Sequence, residues 1–200
     1  MTRWLTSDLH LGHGRIAEYT GRPYSGVIEM NNDLVRRYSE LVAPDDVVWI
    51  LGDLCLGKLD FSLRWVGEMN GTKYLVPGNH DKMFRCEGEK YAHTVQRHLD
   101  AGIAAVLEPQ ITLSMDGLDV LACHFPYAGD SRDGYEDRYL EHRPKDRGGF
   151  LVHGHTHGRW RKNRRMVDVG VDAWGGRPVS FETVAALLTN GTDHEGVLPW

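Results

Sequence analysis

Five short apolar segments constrain the fold of this chain more than any other feature. Each is rich in Val, Leu, Ile or aromatic side chains and is closed by a glycine, a proline or a polar cluster, which is the pattern of a buried strand. The segments are Arg3 to Ser7, Val47 to Leu51, Lys73 to Val76, Val120 to Cys123, and Phe150 to Val152.

Helical periodicity separates several of these strands. Leu34 to Val42 carries apolar side chains at positions i, i+1, i+4, i+7 and i+8, which form one face of a helix. Asp60 is predicted to cap a second helix, Ser180 a last one, and Tyr91 to Leu99 indicates another. Strands that alternate with helices in the first half predict an α/β protein with a largely parallel sheet.

The second half of the chain has a different pattern. Ile111 to Met115, Asp116-Gly117 and Leu118 to Cys123 are typical of a hairpin around an Asp-Gly turn, which adds antiparallel pairing. Val167 to Val171 is predicted to be a further strand, and the polar stretch Arg159 to Arg165 before it a turn.

Composition indicates a soluble globular protein, with 41% hydrophobic and 26% charged residues in 200. Without a repeat or a linker, residues 1–200 are expected to form a single domain. The net charge of −5 gives no electrostatic reason to coat nucleic acid or a membrane. Cys55, Cys86 and Cys123 are odd in number and widely spaced, as in reduced cytosolic proteins. The N-terminus lacks the pattern of a signal peptide, so we expect a cytoplasmic protein.

Every one of the five strands leads directly into residue types that bind metals. They are Asp8, His10, Asp53, Asn79, His80, His124, His153 and His155. Side chains beyond the carboxyl ends of strands converge in α/β sheets, so these residues are expected to form one cluster. Taken singly, Asn79 to Asp81 is also typical of a polar turn, and His153 to His157 of a histidine-rich loop. Their shared position after apolar strands favours the cluster.

In this order the blocks resemble the calcineurin-like metallophosphoesterases. The resemblance rests on Ser7-Asp-Leu-His10, Leu51-Gly-Asp53, Gly78-Asn-His-Asp81, His124 and His153-Gly-His155. Gly21-Arg22-Pro23 and Val169-Gly-Val-Asp172 look like the small members found in bacteria and phages. The resemblance implies an α/β fold with a β-sandwich of two mixed sheets flanked by helices, in four α/β/β/α layers.

The resemblance also implies a dinuclear metal site. One ion would be held by Asp8, His10, Asp53 and His155, and the other by Asp53, Asn79, His124 and His153. A carboxylate such as Asp53 can give a lone pair to each of two cations, whereas an imidazole cannot. Nitrogen and oxygen ligands without thiolate suit Mn(II), Fe, Zn or Ni, and the resemblance favours Mn(II). Two such ions would supply a bridging hydroxide as the nucleophile.

Other polar residues near these blocks have less definite roles. By resemblance, His80 is a general acid for the leaving group, and Asp81 orients its ring. The alternative is that His80 only positions Asn79. His13 and His157 either contact the phosphate, support the ligand residues or lie in a solvated loop. Asp168 and Asp172 either orient ligating imidazoles or lie at a strand edge.

The implied activity is hydrolysis of a phosphate ester, with a diester such as a 2′,3′-cyclic nucleotide as the leading substrate. A phosphomonoesterase acting on nucleotides or phosphoproteins is the alternative. A non-catalytic scaffold is disfavoured, because every ligand position is filled. Arg161, Arg164 and Arg165 form a local basic cluster that would attract a nucleotide or a nucleic-acid end. No membrane partner is expected, and the oligomeric state is left open.

Overall fold

The computed structural model describes residues 1–130 and 136–200 and has two mixed sheets flanked by helices. The first sheet has the order β10-β1-β2-β3-β4. Its strands are β1 (Arg3–Thr6), β2 (Val47–Ile50), β3 (Thr72–Leu75), β4 (Ile103–Val106) and β10 (Val179–Ser180). Strands β1 to β4 run parallel, and β10 pairs antiparallel with β1. The predicted α/β architecture of two mixed sheets is confirmed.

The second sheet has the order β11-β8-β9-β7-β6-β5. Its strands are β5 (Gln110–Met115), β6 (Leu118–Cys123), β7 (Phe150–His153), β8 (Lys162–Asn163), β9 (Met166–Asp168) and β11 (His194–Glu195). The predicted hairpin joins β5 to β6, and its turn residues Asp116 and Gly117 have φ of 49° and 82°. Positive φ at both positions is what a two-residue turn between twisted strands requires.

Within residues 1–130 and 136–200, five α-helices connect and cover the strands. They are α1 (Ile16–Thr20), α2 (Val27–Ser39), α3 (Leu59–Glu68), α4 (Gly88–Asp100) and α5 (Phe181–Asn190). Ser180 caps α5 as predicted, because its Oγ accepts the backbone N–H of Thr183 at 3.1 Å. Asp60 does not cap α3. The cap is Lys58, and Asp60 lies in the first turn, where a negative charge favours the exposed N–H groups.

Two further predictions differ from the structure. The stretch Arg159 to Arg165 is not only a turn, since it contains β8, whose buried Lys162 donates to the carbonyl of Gly191 at 2.9 Å. The strand predicted over Val167 to Val171 ends at Asp168, whose Oδ1 accepts the backbone N–H of Gly170 at 2.7 Å. Beyond that point Gly170 bridges to Ser7 in the first sheet.

The main apolar core lies on both faces of the first sheet. In β2, Val48 and Ile50 pack in the cluster that includes α2 and α3, whereas Trp49 packs against the cluster between the two sheets, to which Leu51 directly after the strand belongs. This alternation follows from the two-residue period of a strand. Among the described residues, no helix is long and apolar enough to cross a membrane.

Candidate active site

The strand ends of both sheets deliver the predicted ligands to one edge of the sandwich. Asp8 and His10 follow β1, and Asp53 follows β2. Backbone pairing continues past the strands, because the N–H of Asp8 donates to the Gly52 carbonyl at 3.0 Å and that of His10 to the Asp53 carbonyl at 2.9 Å. The first two motifs, Ser7 to His10 and Leu51 to Asp53, therefore lie side by side.

Left-handed backbone marks this edge. Among the described residues, five of the eight non-glycine residues with positive φ belong to these motifs: Asp8 (57°), His10 (51°), Asp53 (51°), His155 (71°) and His157 (49°). Such a conformation costs a non-glycine residue about 1–3 kcal/mol and is typical of functional sites. Here it turns the side chains out of the strand directions towards a common point.

Glycines allow the motifs to approach closely. A Cβ on Gly52, where φ is 89°, would lie 2.6 Å from the Cα of Gly78 and 2.7 Å from Nδ1 of His124. A Cβ on Gly154 would collide with the side chains of Ser7 and Asp8. Side chains at these positions would force the strand ends apart, so the tight cluster depends on glycine.

Buried polar atoms without hydrogen-bond partners meet at the centre of the site. They are Oδ1 of Asp8, both ring nitrogens of His10 and Oδ2 of Asp53. Nε2 of His10 and Nε2 of His124 each lie 3.5 Å from Oδ2 of Asp53. An unsatisfied buried polar group costs about 1–3 kcal/mol, more if it is charged, so this cluster fits a bound cation.

The surroundings of His124 support the same conclusion. Its Nδ1 contacts the carbonyl of Leu51 at 2.8 Å, and a carbonyl can only accept, so this nitrogen carries the proton. In the neutral ring Nε2 then carries a lone pair and no proton, yet it faces Oδ1 of Asn79, another acceptor, at 3.0 Å. Two acceptors at this distance repel each other unless a cation lies with them.

Two groups of the described residues have ligand atoms within 4.8 Å of one another. One consists of Asp8, His10 and His157, and the other of Asp8, Asp53 and His124. Burial, followed by the charges of Asp8 and Asp81, raises the pKa of Asp53 well above its usual value. Crowding of carboxylates at one buried point is favourable only when positive charge accompanies them.

The last motif, His153 to His157, has three histidines, and they occupy different environments. Strand β7 ends at His153, whose Nδ1 lies 2.7 Å from the Gly154 carbonyl and whose Nε2 is buried without a partner. The His157 ring stacks on His10 at 5.1 Å, and the His155 ring lies 5.2 Å from His124. The structure thus brings His157 to Asp8 and His10, where we had expected His155.

The reason lies in the backbone. A continuous strand would place residues 153, 155 and 157 on one face, so the sequence pattern allows either neighbouring pair of histidines. Instead β7 stops at His153, and the positive φ of His155 and His157 turns the later two towards the cluster.

Protonation differs among these histidines. Burial lowers the pKa of His153 and of His155 to about 4. Burial also acts to lower the pKa of His157, but the hydrogen bond to Asp172 and the charge of Asp8 outweigh it and raise this pKa to about 9. The negative potential at His157 is the kind that a cation would neutralise.

A cleft of about 730 Å³ opens above the cluster. Its lining includes His10, His13, Tyr19, His80, Asp130, Arg138, His155, His157 and Arg159. His80 donates its backbone N–H to Oδ1 of Asp53 at 2.8 Å, and its ring lies 5.3 Å from that of His10. Burial, followed by the neighbouring His124, lowers the pKa of His80 to about 4.

Asp81 has a different position from the one predicted. Its Oδ2 accepts the backbone N–H groups of Asp53 and Gly78, both at 2.8 Å, and its Oδ1 accepts that of Leu54 at 3.0 Å. These bonds hold the backbone of the second and third motifs together. The hydrogen bonds of the Asp81 carboxylate thus lie with the backbone around Asp53, and its role towards the ring of His80 stays a prediction.

The basic stretch contributes one residue to the cleft. Arg159 lines it, while Arg161 pairs with Glu195 at 3.2 Å and Arg165 with Asp146 at 2.9 Å. Arg164 lines a separate surface pocket together with Arg165. The sequence cluster is thus divided between different surfaces.

Comparison with known proteins identifies the family. The sequence profile of the calcineurin-like phosphoesterase superfamily domain matches residues 1–177. The chain belongs to the calcineurin-like phosphoesterase superfamily. It is 35% identical over 206 aligned positions to the Gene 66 protein of Mycobacterium phage L5, covering 97% of each chain. It is 37% identical to the Gene 66 protein of Mycobacterium phage D29, covering 86% of this chain and 88% of the other.

A solved structure shares the fold of this calcineurin-like phosphoesterase. A protein of unknown function from Aquifex aeolicus superposes with a TM-score of 0.67 at 20% identity, over 93% of this chain and 98% of the other. The superfamily as a whole indicates a hydrolase that acts on phosphate esters, and its members generally bind divalent metals. The residues gathered at the edge of the sandwich are candidates for both tasks.

Sequence reasoning gave no role to three charged residues around the calcineurin-like phosphoesterase site. Arg22 pairs with Asp172, and Asp130 contacts both His155 and Arg143. Arg22 lies in the Gly21-Arg22-Pro23 segment, whose resemblance to small bacterial and phage phosphoesterases indicates no role for the arginine. Asp130 and Arg143 lie in no recognisable motif, because partners so distant in sequence leave no local pattern.

Proposed function

We propose that this protein is a dinuclear metal-dependent phosphoesterase, contained in a single domain. The observation that carries the proposal is the convergence of Asp8, His10, Asp53 and His124, the first three of which have buried polar atoms that lack hydrogen-bond partners. Oxygen and imidazole donors without thiolate suit Mn(II), Fe, Zn or Ni, and Mn(II) is the proposed ion.

The geometry favours a ligand set in which His157 and His155 replace His155 and His153, the two histidines expected from the resemblance. We assign Asp8, His10, Asp53 and His157 to one ion, and Asp53, Asn79, His124 and His155 to the other. Oδ2 of Asp53 faces His10 and His124 at 3.5 Å each, which suits a carboxylate shared by two ions. His153 is left out because its ring lies against Trp160, at 6.3 Å, whereas the ring of His155 lies 5.2 Å from that of His124.

When bound, two divalent ions would lower the pKa of a water molecule and stabilise the charge on the phosphate oxygens. His80 lines the cleft and is placed to give a proton to the leaving oxygen. Its pKa of about 4 leaves the free ring neutral at pH 7. An anionic ester close by would raise this pKa and favour the charged form during the reaction.

The cleft fits a small phosphodiester. Its volume of about 730 Å³ is typical of pockets for small molecules. Arg138, Arg159 and His13 line it, and they are suited to the negative charge of the phosphate, while the exposed ring of Tyr19 offers an aromatic surface. A 2′,3′-cyclic nucleotide, which joins an anionic phosphate to an aromatic base, matches this lining.

The test combines metal content with a substrate panel. Wild type and Asp53→Asn would be dialysed against Mn(II), analysed by inductively coupled plasma mass spectrometry, and assayed with bis-p-nitrophenyl phosphate, p-nitrophenyl phosphate, 2′,3′-cyclic nucleotides and phosphopeptides. We expect two ions and diesterase activity in wild type, with both lost in Asp53→Asn. Asp146→Asn removes an exposed carboxylate paired with Arg165 and should match wild type.

Two outcomes would contradict parts of this proposal. Full activity after exhaustive chelation would exclude the metal mechanism. Faster hydrolysis of p-nitrophenyl phosphate and phosphopeptides than of every diester would assign the protein to the phosphomonoesterases.

A further inference from the structure

Two histidines of the last motif each have a second ring nitrogen in contact with a buried aspartate. Nδ1 of His157 lies 2.9 Å from Oδ2 of Asp172, and Nε2 of His155 lies 2.7 Å from Oδ2 of Asp130. The aspartate side chains are only 3% and 1% exposed. A carboxylate can only accept, so the contacted nitrogen carries the proton and the opposite nitrogen of a neutral ring presents a lone pair.

Each of these aspartates is paired in turn with a buried arginine. Arg22 contacts Asp172 through Nε and Nη2, both at 2.8 Å, and its side chain is 0% exposed. Arg143 forms an ion pair with Asp130 through Nη2, and its side chain is 4% exposed. A buried ion pair is weak as a source of stability, since desolvation offsets the attraction. A positioning role accounts better for two such pairs beside one site.

Each arginine also fixes backbone next to a proposed ligand. Arg22 donates to the carbonyl of Asp8 at 2.7 Å and to that of Leu9 at 3.1 Å, within the left-handed segment that carries the first motif. Arg143 donates to the carbonyl of Pro126 at 3.1 Å, two residues after His124. The first arginine thus connects the first motif to His157, and the second connects the chain after His124 to His155.

We propose that Arg22–Asp172–His157 and Arg143–Asp130–His155 are two separate positioning relays, each of which fixes the tautomer and orientation of the histidine for one metal ion. The inference rests on the proposed function, in which His157 and His155 bind different ions. The two relays have no residue in common. Disruption of one should therefore weaken one ion and leave the other bound.

Substitution of the two aspartates tests this separation. Oδ2 of Asp172 accepts from both Nη2 of Arg22 and Nδ1 of His157, and an asparagine oxygen could keep both bonds, so the variant is Asp172→Leu, which leaves Nδ1 of His157 without its acceptor. In Asp130 the two oxygens are divided between Arg143 and His155, so in Asp130→Asn the amide oxygen stays with Arg143 and the NH2 group faces Nε2 of His155, which moves the ring proton to Nδ1 and removes the lone pair for a metal. We expect each variant to bind one Mn(II) as wild type does and the other roughly 10- to 100-fold more weakly, and the double variant to lose both.

Metal content by mass spectrometry at stepped free Mn(II) gives this readout without an activity assay. Asp46→Asn is the matched control, since Asp46 is buried and accepts the backbone N–H of Ala43 and the indole N–H of Trp4, both at 3.0 Å, outside the site. This variant should be less stable than wild type but bind both ions with wild-type affinity.

Wild-type protein loaded with Zn(II) provides a measurement that does not depend on the folding of variants. Long-range ¹H–¹⁵N spectra report which ring nitrogen carries the proton, and we expect Nδ1–H for His157 and Nε2–H for His155. The reverse tautomers would overturn the relays. Wild-type affinity for both ions in Asp172→Leu and Asp130→Asn, or loss of both ions in either single variant, would also overturn them. Wild type that binds no divalent ion would overturn the proposed function itself, and the relays with it.

Discussion

Replacement of Asp81 by asparagine separates two roles for this residue. The sequence pattern predicts that Asp81 orients the His80 ring, whereas in the structure its carboxylate accepts the backbone N–H groups of Asp53, Leu54 and Gly78. Asparagine retains one acceptor oxygen. In its best orientation that oxygen keeps the two bonds to Asp53 and Gly78, and the NH2 group faces the N–H of Leu54.

The expected cost follows from these contacts. One hydrogen bond to a charged group is lost, worth about 1.5–3 kcal/mol, and the two that remain are weakened because the acceptor is neutral. Burial raises the pKa of Asp81, so removal of its charge recovers part of that cost. We expect a net destabilisation of roughly 2–3 kcal/mol, or about 4–12 °C in Tm for a chain of this length.

Thermal unfolding of chelated protein and steady-state kinetics of metal-loaded protein would measure both effects. If Asp81 holds the backbone around Asp53, Asp81→Asn should lower kcat by a similar factor for bis-p-nitrophenyl phosphate and for a 2′,3′-cyclic nucleotide. His80→Ala should retain both metals and lose activity mainly towards the cyclic nucleotide, whose leaving group needs a proton. Asp119→Asn, a change at an exposed carboxylate on β6, serves as the control.

The two roles predict different outcomes. An unchanged Tm together with the selective loss seen in His80→Ala would refute the backbone role and restore Asp81 as the partner of His80.

Four other substitutions test the fold. Gly52→Ala should prevent normal folding, since its Cβ would lie 2.6 Å from backbone, whereas Gly117→Ala, which has open space at a similar φ, should cost only about 1 kcal/mol by thermal unfolding. Equal effects would contradict the close-approach argument. Ser180→Ala should cost about 1 kcal/mol through loss of the α5 cap, and no change in Tm would exclude that cap as a source of stability. Burial acts to raise the pKa of Asp33, but hydrogen bonds from Tyr24 and two arginines outweigh it and lower this pKa to about 2. The folded-state pKa lies below the unfolded value of about 3.9, so this contribution to stability is present above pH 4 and is lost as the pH falls towards 2. The free energy of unfolding of Asp33→Asn should fall less steeply than that of wild type between pH 4 and pH 2. Equal slopes for the two proteins would refute the contribution of Asp33 to acid stability.

Much of the fold was predictable because buried strands and amphipathic helices leave periodic patterns. The hairpin around Asp116-Gly117 and the cap at Ser180 depend on neighbours within a few residues, and both are present as predicted. The two-residue strands β8, β10 and β11 were missed. They are too short for any period and exist only because a partner strand lies beside them.

The last motif shows where the sequence left the site undecided. Three histidines at spacings of two allow two ligand pairs, and strand periodicity cannot choose between them. The end of β7 at His153 and the left-handed backbone of His155 and His157 favour the later pair. That change of direction arises from close packing against Ser7 and Asp8 at Gly154, which is a contact between distant segments.

Carboxylate, amide and imidazole groups that follow successive buried strands are visible in the sequence alone, and parallel strands bring their ends to one edge of a sheet. Which histidine lies beside which carboxylate at that edge depends on contacts between distant segments. Arg22 and Asp172 are 150 positions apart, and Asp130 and His155 are 25 apart. Only the packing of the two sheets brings such groups within hydrogen-bond distance, so no local pattern could encode their pairing.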